Sequence, residues 1–160
     1  MIGVDIMVYA VVRVRGNINV RRTIRDTLNM LRLNKVNHCV IIPESEEYKG
    51  MLTKVKDYVT WGEVDQDALN NLLISRGKLQ GDLPITDKYV KSNSKFKSIT
   101  GFSTEIIEGK AKFTDLKDIK PVIRLHPPKK GYEGIKRPYN LGGTLGYRGN
   151  DINELIRRMI

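Results

Sequence analysis

The chain is poor in the residues that most often carry enzyme chemistry. Its 160 residues hold one cysteine, one tryptophan and two histidines, His38 and His126. A lone cysteine closes no internal disulfide, and Cys39, within the apolar run HCVII, reads as a small buried hydrophobe. With so few sulfur and imidazole ligands there is no local metal-binding spacing. Neither a metal nor another cofactor is expected. No Ser/His/Asp arrangement is supported, and His38 beside Cys39 makes a poor dyad because neighbours on a strand point to opposite faces. His126 is open to a structural or solvent-facing role, an RNA contact, or catalysis. The acidic residues form no recognisable two-carboxylate or metal constellation. Long apolar runs are missing too: nothing approaches the roughly 18 residues that cross a bilayer. The first ten residues carry Asp5 and lack a basic, then apolar, export pattern. The expectation is a soluble intracellular protein with no membrane partner and no active site.

Acidic residues are also scarce relative to basic ones, 18 Asp/Glu against 28 Lys/Arg, for a formal charge of +10. Such an excess suits a polyanionic partner and says nothing about fold. Its placement is more informative. Residues 13–35 carry seven basic side chains and one acid, and residues 120–148 again seven and one, so each segment is +6 and the remainder sums to −2. A surface charged only for solubility would mix its signs along the chain. The two segments read as halves of one anion-binding footprint.

Periodicity organises the first segment. VYAVVRVRGN places Val12 and Val14 on one face and Arg13 and Arg15 on the other, then turns at Gly16-Asn17: an early strand with a basic outer face. In NVRRTIRDTLNMLRLNK the apolar Val20, Ile24, Leu28 and Leu31 recur at helical spacing, opposite Arg22, Arg25, Asn29 and Arg32, with Asn19 as N-cap. HCVIIPES predicts a strand over 37–42 stopped by Pro43. A helix follows with Tyr48, Met51, Leu52 and Val55 on one face and Lys49, Lys54 and Lys56 beside them. Residues 58–64 predict a third strand with Trp61-Gly62 near its end. Helices over one face of a small sheet would make a two-layer unit.

The texture then changes. DQDALNNLLISRGK predicts a helix capped by Asp65 or Asp67, with Leu69, Leu72 and Leu73 inward and Gly77 as C-cap. TDKYVKSN, STEIIEGK and FTDLKDI predict small helices of a lobe. KPVIRLHPP is a strand in which Val122, Arg124 and His126 alternate with Ile123 and Leu125. Residues 126–150 hold six of the fourteen glycines, three of the six prolines, and Tyr132, Tyr139 and Tyr147. Lys129, Lys130, Lys136, Arg137 and Arg148 supply the charge, and glycine lets backbone approach a phosphate ridge closely. The tyrosines either stack on unpaired bases or brace the loop. LGGTLGYRGN superficially resembles a phosphate-cradling loop but lacks the full Gly-rich spacing with Lys and Ser/Thr. An extended basic arm is costly to order alone, so its folding is expected to be coupled to binding. NDINELIRRMI closes the chain as a helix with the capping-box pair Asp151 and Glu154 and an apolar stripe of Ile152, Leu155, Ile156 and Met159.

VVRVRGNINVRRTIRDTLNMLRLNKVNHCVII, YVTWGEVDQDALNNLLISRGK and NDINELIRRMI together resemble the large-subunit ribosomal protein family called L-thirty in bacteria and archaea and L-seven in eukaryotes. The resemblance runs from about Tyr9 to Ile160. It implies an α+β fold: a compact βαβαβ core with a small antiparallel three-stranded sheet, distantly ferredoxin-like. The helical lobe and basic C-terminal arm resemble the archaeal and eukaryotic branch. With no long basic extension ahead of the first strand, an archaeal-type member is expected. The segments are residues 1–64 for the rRNA-binding core, 65–120 for the lobe, and 121–160 for strand, arm and docking helix.

The resemblance further implies a structural constituent of the large subunit, one copy per ribosome, in the cytoplasm. It would bind large-subunit rRNA near the 5S rRNA, beside neighbouring ribosomal proteins, without catalysis. RVRGNINVRRTIR carries over RNA proximity for Arg13, Arg15, Arg21, Arg22 and Arg25, to which the helix stripe adds Arg32. SRGK nominates Arg76 and Lys78, or else a lobe-bracing role for them. The arm contributes Lys129, Lys130, Lys136, Arg137 and Arg148. Trp61 is either core or a stacking platform. The alternatives are a free RNA-binding regulatory module, an enzyme acting on RNA or nucleotide, and a protein-binding scaffold.

Overall fold

The computed structural model describes residues 8–116 and 118–160. Asp5 and the rest of residues 1–7, as well as Lys117 within FTDLKDI, lie outside the described residues. One mixed sheet of five strands runs in the order β4-β2-β1-β3-β5, where β1 is Val8–Arg13, β2 His38–Pro43, β3 Val59–Glu63, β4 Val122–Arg124 and β5 Gly146–Tyr147. All neighbours are antiparallel except β3 and β5. The helices are α1 (Arg22–Met30), α2 (Glu46–Lys54), α3 (Gln66–Arg76), α4 (Asp87–Asn93), α5 (Ile99–Ile107) and α6 (Ile152–Met159). The fold is α+β as expected. The antiparallel β2-β1-β3 core carries one further strand on each side, both from the C-terminal segment, and its likeness to a ferredoxin-like fold is loose.

β1 differs from the expected half-exposed strand, because all six of its residues are buried. Tyr9 and Val11 join Leu28, Leu31, Leu33, Leu52 and Val55 in a core under α1 and α2. Val8, Ala10 and Val12 join a second core with Leu69, Leu72 and Leu73 of α3, Phe102 of α5 and Ile156 of α6. The alternation along β1 therefore separates two cores rather than core from solvent. Two expected layers become three, the third supplied by the lobe and α6. One continuous apolar cluster takes residues from all three sequence segments.

Local chemistry explains where most helices begin. Ser45, Asp65, Thr86 and Ser98 each accept a backbone N–H of the first turn, from Tyr48, Ala68, Tyr89 and Gly101 respectively, satisfying groups a helix start leaves unpaired. Two expected caps are not used. α1 follows Arg21 without a side-chain cap, and Asn19 instead takes the left-handed conformation at φ 57°, which asparagine tolerates. Asp151 makes no cap bond to α6, because its carboxylate accepts the Tyr139 hydroxyl. Among the described residues of FTDLKDI there is a short 3₁₀ turn at Phe113–Asp115 in place of the expected helix. In the lobe, the Phe96, Phe102 and Phe113 rings pack in sequence at 4.9 and 6.4 Å.

α6 reaches the sheet where the side chains are smallest. Ala10 and Gly62 are register partners on β1 and β3. A Cβ on Gly62 would collide with the carbonyl of Gly149 and stand 3.1 Å from Ile152 Cβ. Buried Asn153 fastens the same junction: its Oδ1 accepts from Asp65 N at 3.0 Å and its Nδ2 donates to the Glu63 and Asn150 carbonyls at 3.2 and 3.0 Å. Gly62→Ala should therefore lose about 1–3 kcal/mol of stability, read as a lower urea midpoint at unchanged slope. Gly50→Ala in α2, where an added Cβ meets nothing within 4 Å, should not lower the midpoint.

Candidate nucleic-acid interface

Strand direction decides which parts of the sequence share an end of the sheet. Arg13 closes β1 opposite Val59, Val12 pairs with Cys39, His38 pairs with Arg124, and Thr60 with Gly146. The end of β1, the starts of β2 and β3, the end of β4 and the start of β5 therefore lie side by side. Both basic segments, 13–35 and 120–148, empty into the loops at this one end, except for Lys120, which stands before β4 at the other end and pairs with Asp82. Asn37 joins them. Its N–H donates to Arg13 O at 2.8 Å, its carbonyl accepts from Leu125 N at 3.1 Å, and its side-chain oxygen accepts from the Tyr132 hydroxyl at 2.5 Å.

Within that frame the nominated side chains have different fates. Arg21, Arg22, Arg25 and Arg32 are exposed along and just beside α1 (Arg22–Met30). Arg15 is half-buried, its guanidinium 5.0 Å above the Tyr58 ring and donating to Asp57 O at 3.4 Å. Arg13, read as outward-facing from sequence, is only 1% exposed. Its Nε donates to Arg15 O at 2.9 Å, Nη1 to Leu33 O at 2.7 Å and Nη2 to Asn17 Oδ1 at 2.6 Å. Burial lowers its pKa. At the end of the β1 face that carries Tyr9 and Val11, Arg13 ties the loops after β1 and α1 together and has no face left for a phosphate. Arg76 and Lys78 stand apart on the lobe, across the sheet from α1, where Lys78 O accepts from Lys120 N at 2.9 Å.

The arm is not the free extension expected from sequence. Its start lies on the end of α6: His126 N donates to Met159 O at 3.0 Å, Lys129 N to Arg158 O at 2.9 Å, and Arg158 Nε to Lys129 O at 3.1 Å. Its far end becomes β5 beside β3. All three tyrosine hydroxyls are used inside the protein, Tyr132 on Asn37, Tyr139 on Asp151 and Tyr147 on Glu63. The bond to Glu63, then burial, pushes the Tyr147 phenol up to about 12. Lys129, Lys130, Lys136 and Arg137 remain exposed. Arg148 does not: its Nε donates to Thr60 Oγ1 and its Nη2 to Thr144 O, both at 2.8 Å, and its guanidinium lies 4.7 Å from the Tyr139 ring. Burial lowers its pKa. It holds the arm to β3.

Three further exposed cations, Lys35, Lys56 and Arg124, stand at the same end, outside the set of RNA contacts expected from sequence. The pairing of strand ends was the signal that would have found Lys35 and Arg124. His38 sits among them. Burial, then Arg124, Lys35 and Arg13, lowers its pKa, and its buried Nδ1 has no hydrogen-bond partner. Cys39 is fully buried, and desolvation pushes its thiol up to about 12, so it is no nucleophile. Among the described residues no three His, Cys, Asp or Glu side chains cluster as a metal site, and no helix is long and apolar enough to cross a membrane.

Comparison with known proteins bears on what this surface meets. The family described as ribosomal protein L30p/L7e matches residues 9–59. Over 151 residues the chain is 50% identical to the large ribosomal subunit protein uL30 of Methanocorpusculum labreanum, covering 94% of this chain and 99% of that one. It is 51% identical to the uL30 of Methanoculleus marisnigri and 48% identical to that of Methanocella arvoryzae, with the same coverage of both chains. These relatives are archaeal, the branch expected from sequence.

Two outcomes are expected from this geometry. Arg148→Met should release the arm, so that trypsin cuts after Lys129, Lys130, Lys136 and Arg137 at least about tenfold faster, as suits the loss of charged buried hydrogen bonds; an unchanged rate would mean that Arg148 holds nothing. A lowered His38 pKa means that the unfolded chain takes up the proton first. Stability should therefore fall as pH drops below the ordinary value of 6.5. Urea midpoints above and below that value should converge for His38→Gln, and an equal drop in both proteins would reject the assignment.

Proposed function

The chain belongs to the ribosomal protein L30p/L7e family, and from that premise we propose that it is a structural component of the large ribosomal subunit that binds folded rRNA through the basic end of its sheet. The family is structural and non-enzymatic. The observation that carries the RNA reading is that exposed cations of two basic segments remote in sequence, Arg15 to Lys35 and Arg124 to Arg137, converge at one end of one sheet. The proposed contacts are Arg15, Arg21, Arg22, Arg25 and Arg32 on one side and Lys129, Lys130, Lys136 and Arg137 on the other, with Lys35, Lys56 and Arg124 between. Arg76 and Lys78 would form a separate, smaller contact on the lobe.

Mechanistically this is architectural binding. Planar guanidinium forks and ammonium groups neutralise phosphates and fix register on a folded RNA surface, with shape rather than base sequence setting specificity. Arg13 and Arg148 act one step back, holding the loops that present those cations. The neighbourhood of 5S rRNA, adjoining ribosomal proteins, one copy per ribosome and a cytoplasmic location are part of the proposal and rest on the family resemblance.

The test is rRNA footprinting on reconstituted large subunits. A variant carrying Arg21→Gln, Arg22→Gln and Arg25→Gln should lose protection at discrete sites, and one carrying Lys129→Gln, Lys130→Gln, Lys136→Gln and Arg137→Gln should lose a different, adjoining set. For the first variant the logarithmic salt slope of binding should flatten by about 2–3. Unchanged footprints with normal incorporation would overturn the RNA role of that surface. Wild-type protein that binds RNA but never co-sediments with subunits would favour a free regulatory module.

A further inference from the structure

Between the arm and β3 the surface opens into a groove of about 550 Å³. Trp61 and Tyr147, with ring centroids 6.3 Å apart, line it together with Tyr139 and Leu141. Leu141 is 67% exposed and Tyr147 51%. The Tyr147 ring is held in place: its hydroxyl is tied to Glu63, and Tyr9 meets it edge-on at 6.5 Å. These aromatic surfaces are thus fixed before anything binds, which lowers the ordering cost of stacking on them.

What flanks the groove identifies the occupant. Lys56 and Asp57 are part of its lining, and Arg15 reaches the same spot by donating to Asp57 O. On the arm side Pro138 follows directly on the exposed Lys136 and Arg137. The groove is continuous with the basic end of the sheet and has cations on both banks. A peptide side chain would need no such charge, whereas a nucleotide brings a phosphate on each side of an aromatic base. Resting on the rRNA reading above, we propose that this groove receives one unpaired rRNA nucleotide, its base stacked on Trp61 and Tyr147 and its flanking phosphates met by Lys56, Arg15 and Arg137. The basic stripe would then hold folded RNA by charge, while the groove selects a place where a base is free to leave its helix.

Trp61 is the chain's one tryptophan, so its fluorescence reports on the groove directly. The full chain is titrated with two labelled RNA duplexes of equal length, one fully paired and one with a single bulged uridine, following tryptophan emission and RNA anisotropy together. The bulged duplex should quench Trp61 and bind about tenfold tighter. Tyr147→Leu should erase that preference and leave affinity for the paired duplex unchanged, whereas Tyr147→Phe should keep it. Equal affinities without differential quenching would overturn the groove while leaving phosphate binding intact. Failure of both duplexes to bind in a salt-sensitive way would count against the RNA reading itself. In assembled subunits, a photo-crosslinking residue at Leu141 should capture an rRNA nucleotide; capture of a neighbouring protein, or of nothing, would overturn the proposal.

Discussion

The close approach of residues 149–152 to Gly62 is the constraint on which the rest of the structure depends. It lets α6 lie against β1 and β3 at their least bulky pair, Ala10 and Gly62, and so bury the second face of a sheet whose first face is already covered by α1 and α2. With α6 seated there, the residues just before it run beside β3 in the same direction and form β5. The residues before β4 must then come through the lobe to reach the opposite edge. The arm is consequently fastened at both ends, on the C-terminal carbonyls of α6 and on β3. It is a closed loop on the body rather than a tail.

Charge follows from topology more than from composition. Residues 13–35 and 120–148 are basic for separate local reasons, yet antiparallel pairing of β1 with β2 and of β2 with β4 brings their ends together. Two guanidinium groups are withdrawn from the surface to make this hold. Arg13 binds two carbonyls and an asparagine oxygen between loops, and Arg148 binds a threonine hydroxyl and a carbonyl between strands. Buried arginine is tolerable there because its donors are matched.

Local signals in the sequence located most of the elements. Helical spacing of Leu28 and Leu31, of Leu69, Leu72 and Leu73, and of Ile152, Ile156 and Met159 marked three helices and their buried faces, and Asp65 marked a cap. What period-two alternation could not reveal was the second layer, because the residues covering Ala10 and Val12 come from α3, α5 and α6. Arg13 was misplaced because the face it shares with Tyr9 and Val11 is the one that α1 and α2 cover, with the loop after α1 closing over it at Leu33. The Asp151 cap failed on a competition: its carboxylate had a phenol to accept from, supplied by a turn twelve residues earlier. Among the interface residues the α1 stripe was legible because it is local. The parts played by Arg124, Lys35 and Arg148 depend on strand pairing across the chain and left no local mark.

The pairing of β3 with β5 has a kinetic side. Thr60 donates to Gly146 across 86 positions, and Asn153 donates to Glu63 across 90. During synthesis the first core can form as soon as β1, β2, β3, α1 and α2 have emerged, since its contacts are nearby in sequence. The other face of that sheet, Ala10, Val12, Cys39 and Ile41, must wait uncovered until α3 and α5 fold, and at α6 until the last turn of the chain has been made. Closing such long loops is slow, and an uncovered β face is prone to pair with the wrong partner. The seating of α6, on which the start of the arm is fastened, thus also ends the most aggregation-prone stage in the life of the chain.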